Sequence, residues 1–235
     1  MPRNVLKSLL LGSALLAASG VGASAETLKI GFLGGLTGYL APFDQPSFNG
    51  LKFGVDQANA AGGIMGGKVK LELVSRDMRS ETAQAAVSAQ ELVAEGVNVL
   101  IVPCDLDPAI AAGGIAAAAS IPAISSCAST PTLPAIAGEF VFSYYTADNL
   151  QAAALATYAT AQGYKNAFVL LSKDTPYTQK LPEYFAQVFQ NKGGAIAAIA
   201  EYKIGQQDFS AEVTKLKALS PAPDVIMTSA YEPDF

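Results

Sequence analysis

The chain has 235 residues, a net charge of −5 and 15% charged side chains, with no His and no Trp. An acidic chain with scattered Lys is a poor partner for phosphate backbones or anionic lipid, so no nucleic acid is expected as a partner. Without His, the usual general base, the usual activator of a Ser or Cys nucleophile and the commonest metal ligand are missing, and neither a metal nor a cofactor is expected.

Residues 1–25 read as an export leader. Arg3 and Lys7 precede a short apolar core, Leu9 to Ala18, and Ala23-Ser24-Ala25 fits the small-x-small cleavage rule. The alternative is a retained anchor, but the core is too short to span a bilayer stably. The processed chain should begin at Glu26 and be exported. Thr27 to Leu33 is β-rich and gives the first strand. Gly34-Gly35-Leu36-Thr37-Gly38 ends it, but it lacks the G-x-G-x-x-G spacing of a dinucleotide loop, and Pro42 and Pro46 are expected to delay the helix. Ser47 to Ala60 is the first predicted helix, with Gly62-Gly63 as its stop. Lys68 to Ser75 is a strand and Arg76 to Arg79 a turn. Ser80 is placed to cap the next helix, which ends at Gly96.

The stretch from Leu100 to Pro131 organises the rest. Val97 to Val102 is apolar but for Asn98, close to what a strand buried on both faces shows. A polar turn, a small-residue helix, a fourth strand (Ile121 to Ile124) and a second polar turn (Ser125 to Thr130) follow. This is a βαβ unit with both turns at one end of a parallel sheet, where α/β folds bind ligands. Asp107-Pro108 reads as N-cap and first helical residue. Asp105, without that duty, is a ligand candidate or a solvated loop carboxylate. Ser125, Ser126, Ser129 and Thr130 can bond a small polar ligand or cap local turns. Cys104 and Cys127 fall in the two turns, as a disulfide or as two small buried thiols.

Glu139 to Tyr145 is a short strand, and the non-repeating segment Thr132 to Thr146 reads as a crossing between lobes. Beyond it come a helix from Asp148, a strand at Asn166 to Leu171, a helix to about Lys192, a strand at Ala195 to Tyr202, a helix at Phe209 to Leu219 and a strand at Asp224 to Ser229. The alternation predicts an α/β protein with two parallel sheets flanked by helices. Residues 26–146 form an N-terminal lobe and residues 147–235 a partial C-terminal lobe, expected to be truncated relative to a complete two-lobe fold.

The texts IGFLGGLTG, NGLKFGVDQANAAGGIMGGKVKLELVSRD, IPAISSCASTPTL and KDTPYTQKL, with Gly205 to Met227, resemble the type I periplasmic binding proteins. The group most resembled is the leucine/isoleucine/valine-binding proteins of branched-chain amino-acid ABC importers. That resemblance implies two lobes closing on a ligand, and it puts Cys127, Ala128 and Ser129 on the ligand and Phe43 in the lining. It further implies that Tyr177 and Tyr231 close from the second lobe and that Asp148 lies near the crossing. A complete protein of this kind is expected to be monomeric and to deliver an amino acid or analogue to an inner-membrane ABC permease. One departure stands out: Leu106, flanked by Asp105 and Asp107, replaces a Ser of the amino-acid head-group loop. A negative loop disfavours an α-carboxylate and favours a cation or a donor-rich neutral group, so the expected ligand is not a plain branched-chain amino acid.

Two other classes find less support in these residues. A sensory ligand-binding domain of the same fold would need a membrane span and a signalling region. An exported enzyme would have to work with Asp105, Asp107 and two cysteines, without His, C-x-x-C or a nucleophile elbow. Binding without chemistry is the expectation.

Overall fold

The structure is a computed structural model that describes residues 25–230. The expected leader, but for its last residue, and Tyr231 lie outside the described residues.

Two parallel sheets carry the fold. The first runs in the order β2-β1-β3-β4-β5 and the second β7-β6-β8. In chain order the first is built from β1 (Glu26–Gly34), α1 (Ala41–Ala60), β2 (Val69–Asp77), α2 (Thr82–Ala94), β3 (Val99–Val102), α3 (Leu106–Ala118), β4 (Ala123–Ser125), α4 (Leu133–Ala137) and β5 (Val141–Ser143). The second is built from α5 (Asp148–Ala161), β6 (Asn166–Leu171), α6 (Pro176–Asn191), β7 (Ala195–Glu201), α7 (Ser210–Lys217) and β8 (Val225–Thr228). Parallel neighbours need crossovers, which the helices supply.

Strand alternation decides which helix covers which face. Leu33, Leu100 and Val102 point to one side and are buried with Ala85, Ala89 and Leu92 of α2 and Ala109, Ala112 and Ala116 of α3. Alanines at that spacing let α3 lie close to the sheet. A Cβ added to Gly113 would sit 3.1 Å from a Val141 methyl. Phe32 points to the other side, where its ring meets Phe48 of α1 at 5.1 Å. In the second sheet, Ala167, Val169 and Leu171 are buried with Ala152, Ala156 and Ala159 of α5 and with Leu181, Phe185 and Phe189 of α6.

The structure corrects several boundaries. The first helix begins at Ala41, not Ser47, with Pro42 in its first turn and Pro46 inside it. Pro42 sits where the backbone N–H has no helical partner anyway, and Pro46 forgoes one bond to the Pro42 carbonyl. Ser80 does not cap α2. Its Oγ accepts from the Leu40 N–H at 3.0 Å and donates to the Thr37 carbonyl at 2.7 Å, clamping the loop after β1. Asp107 is not the cap of α3 either. Asp105 is, its carboxylate accepting from the Leu106 N–H at 2.9 Å. The segment from 132 to 146 is more than a crossing. It holds α4 and β5, and β5 pairs with β4 as the edge of the first sheet.

Candidate ligand-binding site

The C-terminal ends of β1, β3 and β4 deliver their loops to one end of the first sheet, and the β6–α6 connection faces them. Between lies a cleft of about 160 Å³. Leu40, Phe43, Cys104, Asp105, Leu106 and Cys127 line it from the first sheet's loops and α1, with Ala128, Ser129 and Thr130 beside them. Tyr145, Asp148, Pro176 and Tyr177 complete the wall. The structure thus brings together Phe43, Asp105, Leu106, Cys127, Ala128, Ser129, Asp148 and Tyr177, residues distant in the chain.

The loop after β3 is held from three directions. Cys104 and Cys127 are joined by a disulfide, with their Cα atoms 4.7 Å apart, tying this loop to the one after β4. Asp105 caps α3. Asp44, on α1 and only 1% exposed, accepts from the Cys104 N–H at 2.9 Å and from the Gly35 N–H at 2.6 Å. Gly35 must be bare there: an added Cβ would sit 2.8 Å from the Leu40 Cβ. Burial pushes the Asp44 carboxyl up to about 6, against the two backbone donors that pull it down. Asp44 escaped the sequence reading. Its one signal is a carboxylate on a helix turn that precedes an apolar face, which is too common a pattern to single it out.

The hydroxyls after β4 divide their work. Ser125 is buried and its Oγ accepts from the Ala128 N–H at 2.8 Å. Ser126 turns to α1 and bonds Ser47 at 2.6 Å. Ser129 and Thr130 line the cleft. The Ser129 carbonyl accepts from the Asp148 N–H at 2.7 Å, which ties the loop to the start of α5.

The ionisable groups here are shifted in one direction. Burial raises both Asp105 and Asp148 above the usual carboxylate range. Burial, reinforced by the Asp105 charge, pushes Tyr39 up to about 12, and the Tyr39 hydroxyl stands 3.5 Å from Asp105 Oδ2. Burial and then the Asp148 charge raise Tyr177. Asp44, Cys104 and Cys127 place a carboxylate oxygen and both sulfurs within 4.8 Å of one another. The sulfurs are bonded to each other, so neither is a thiolate and the trio is no metal centre.

Facing this, α6 opens at Pro176. Thr175 caps it, its Oγ1 accepting from the Thr178 N–H at 3.3 Å, and the buried Thr178 hydroxyl donates to the Ser172 carbonyl at 3.1 Å. Asp174, outside the cap, pairs with Lys203 at 2.8 Å. The hydroxyl of Ser229, just past β8, approaches the Tyr177 carbonyl at 3.4 Å.

Comparison with known proteins gives one family and a consistent set of relatives. A sequence profile described as "Periplasmic binding protein" matches residues 27–235. The Leu/Ile/Val-binding protein BraC3 of Rhizobium johnstonii is 27% identical over 208 residues, covering 88% of this chain and 55% of the relative. Among solved structures, the branched-chain amino acid transporter substrate-binding protein LivJ of Streptococcus pneumoniae, in complex with isoleucine, superposes with a TM-score of 0.73 at 29% identity. It covers 82% of this chain and 54% of that one. The leucine-binding protein LivK of Thermotoga maritima gives 0.73 at 26% identity, with 85% and 55% covered. The chain spans about half the length of the curated relatives it matches.

Proposed function

Because this chain belongs to the periplasmic binding protein family, we propose that it captures a small polar ligand, an amino acid or related compound, in this cleft. Residues 26–146 and 147–235 act as its two lobes. The ligand passes from it to an ABC permease in the inner membrane. The protein works in the periplasm after removal of its leader, as a monomer and without catalysing a reaction.

The observation that carries this reading is the convergence of loops from both sheets on one cleft. Phe43 comes from the first turn of α1, Asp105 and Leu106 from the start of α3, Ser129 from the loop after β4, and Asp148 and Tyr177 from the starts of α5 and α6. Lobes joined by a short connection close on such a ligand by hinge motion. Absence of chemistry is supported by the chain itself: it has no His, and its two cysteines are bonded to each other. Among the described residues, no helix is long and apolar enough to cross a membrane.

The test is a thermal-shift screen of the full-length protein against amino acids, amides and small aromatic acids. A ligand that binds only the folded state stabilises it by about 2.7 kcal/mol at one hundred times its dissociation constant. A saturable rise in Tm, lost in Tyr177→Ala, is the expected result. A screen in which no small molecule moves the transition would overturn the reading.

A further inference from the structure

The cleft carries buried negative charge without a cation to match it. Asp105 is 8% exposed and Asp148 2% exposed, and both are in its wall. Among the described residues, no Lys or Arg lines it. The two carboxylates are incompletely used by the protein. Asp105 spends one oxygen on the α3 cap, and its other oxygen meets the Tyr39 hydroxyl only at the outer limit of a hydrogen bond, 3.5 Å. Asp148 is held by the Ser129 hydroxyl. Its Oδ1 is buried with no hydrogen-bond partner.

A buried acceptor left open costs about 1–3 kcal/mol, and more when it is charged. Buried polar groups in folded proteins are nearly always satisfied, so an open one in the wall of a cleft marks the place where a ligand supplies the donor. Beside the hydroxyls of Ser129, Thr130 and Tyr145, the lining offers an apolar part: Leu40, Phe43 and Leu106, with Tyr177 also in the wall. A carboxylate seated here would face two buried acids in a low-dielectric space and gain only hydroxyl and backbone donors. An ammonium would gain both charges.

Resting on the binding reading above, we infer that the cleft selects a small organic cation, a primary ammonium or amidinium on an apolar body, over the matching carboxylic acid. The nitrogen donates to Asp148 Oδ1 and to the outer oxygen of Asp105. The apolar body lies against Phe43 and Leu106. Leucine's ammonium fits this arrangement and its carboxylate does not, so an amine or amide of the same skeleton is the better ligand.

Isothermal titration of the full-length protein with four matched probes tests this: leucine, leucinamide, 3-methylbutylamine and 4-methylpentanoate. The expected order puts leucinamide and the amine at least about tenfold tighter than leucine, a difference of about 1.4 kcal/mol, with no heat from the acid. Asp148→Asn and Asp105→Asn keep the acceptor for Ser129 and the helix cap, since Asn caps as well as Asp. Each should fold, checked by Tm, and each should collapse the amine-over-leucine preference to within about threefold (about 0.65 kcal/mol). Tighter binding of leucine or of the acid, or a preference unchanged in both variants, overturns the inference and leaves the solute-binding reading standing. If none of the four binds saturably, the inference falls alone, because the broader screen judges the reading separately.

Discussion

The two walls of the cleft are held by different chemistry. The wall on the first sheet is cross-linked: the Cys104–Cys127 disulfide joins its two loops, and Asp44 ties the loops after β1 and β3 through backbone N–H donors. The wall on the second sheet is a helix start, held by the hydroxyls of Thr175 and Thr178 and resting on the buried Phe185 and Phe189, whose rings stack at 5.4 Å. The first arrangement sets its donors and acceptors before a ligand arrives. On the proposed binding reading, the second wall moves with its own sheet as the lobes close. Preorganisation of one side lowers the ordering cost of binding, and mobility of the other permits entry.

Breaking the second wall at its base has the largest expected effect. Phe189→Ala removes a fully buried ring and should cost about 3–5 kcal/mol in chemical denaturation. The first sheet should keep its structure longer in that variant, so two transitions should replace one. Near-complete retention of a single transition would show that the walls are not separate units.

Opening the first wall comes next. The paired variant Cys104→Ser with Cys127→Ser releases a loop of sequence separation 23 and should lower stability by about 3 kcal/mol. Ligand affinity should fall as well, because both loops line the cleft. Reduction of the unmodified protein should reproduce both changes, measured by titration with and without dithiothreitol.

Asp44→Asn sharpens the comparison through pH. At low pH, where the carboxyl is protonated, the amide differs from it only by an NH2 in place of the O–H and should cost about 1 kcal/mol. The Asp44 carboxyl is raised by burial to about 6 from 3.8. The folded state therefore holds this proton more tightly than the unfolded chain, and the contribution of Asp44 to stability is greatest below 3.8 and declines as pH rises through 6. The charges of Asp105 and Asp77 also raise Asp44, and they stay in place in the variant. Between pH 5 and pH 7 the unmodified protein should lose roughly 1.4 kcal/mol relative to Asp44→Asn. A pH-independent difference in Tm would remove Asp44 from this role.

Thr178→Val has the smallest expected effect. It keeps the shape and removes the buried hydroxyl that donates to the Ser172 carbonyl, for a loss of about 1 kcal/mol. Affinity should drop modestly through Tyr177, with the first wall untouched.

Much of the fold was legible because strand and helix signals are local. The run Asn166 to Leu171 reads as a buried strand from its apolar continuity, and β6 has those bounds. A helix to about Lys192 reads from the pattern that follows it, and α6 ends at Asn191. The convergence of the loops near residues 105 and 128 was legible too, because a βαβ unit puts successive strand ends on the same edge. The failures are of another kind. Asp107 before Pro108 has the stronger capping pattern, yet Asp105 caps, because β3 ends at Val102 and the chain turns early. Ser80 has a cap's position and serves the loop after β1 instead, a partner some 40 residues away.

Composition and periodicity, then, determined the α/β class, the parallel sheets, the absence of histidine chemistry and the placing of both cysteines in adjoining loops. Those properties follow from neighbours along the chain, whose spacing a sequence states directly. Tertiary structure alone decided that Asp44 would join residues 35 and 104, that Ser126 would turn away from the cleft while Ser129 lines it, and that one oxygen of Asp148 would be buried without a donor. Each depends on which segments meet after folding, and a carboxylate's partners and solvation are properties of that meeting rather than of its position in the chain.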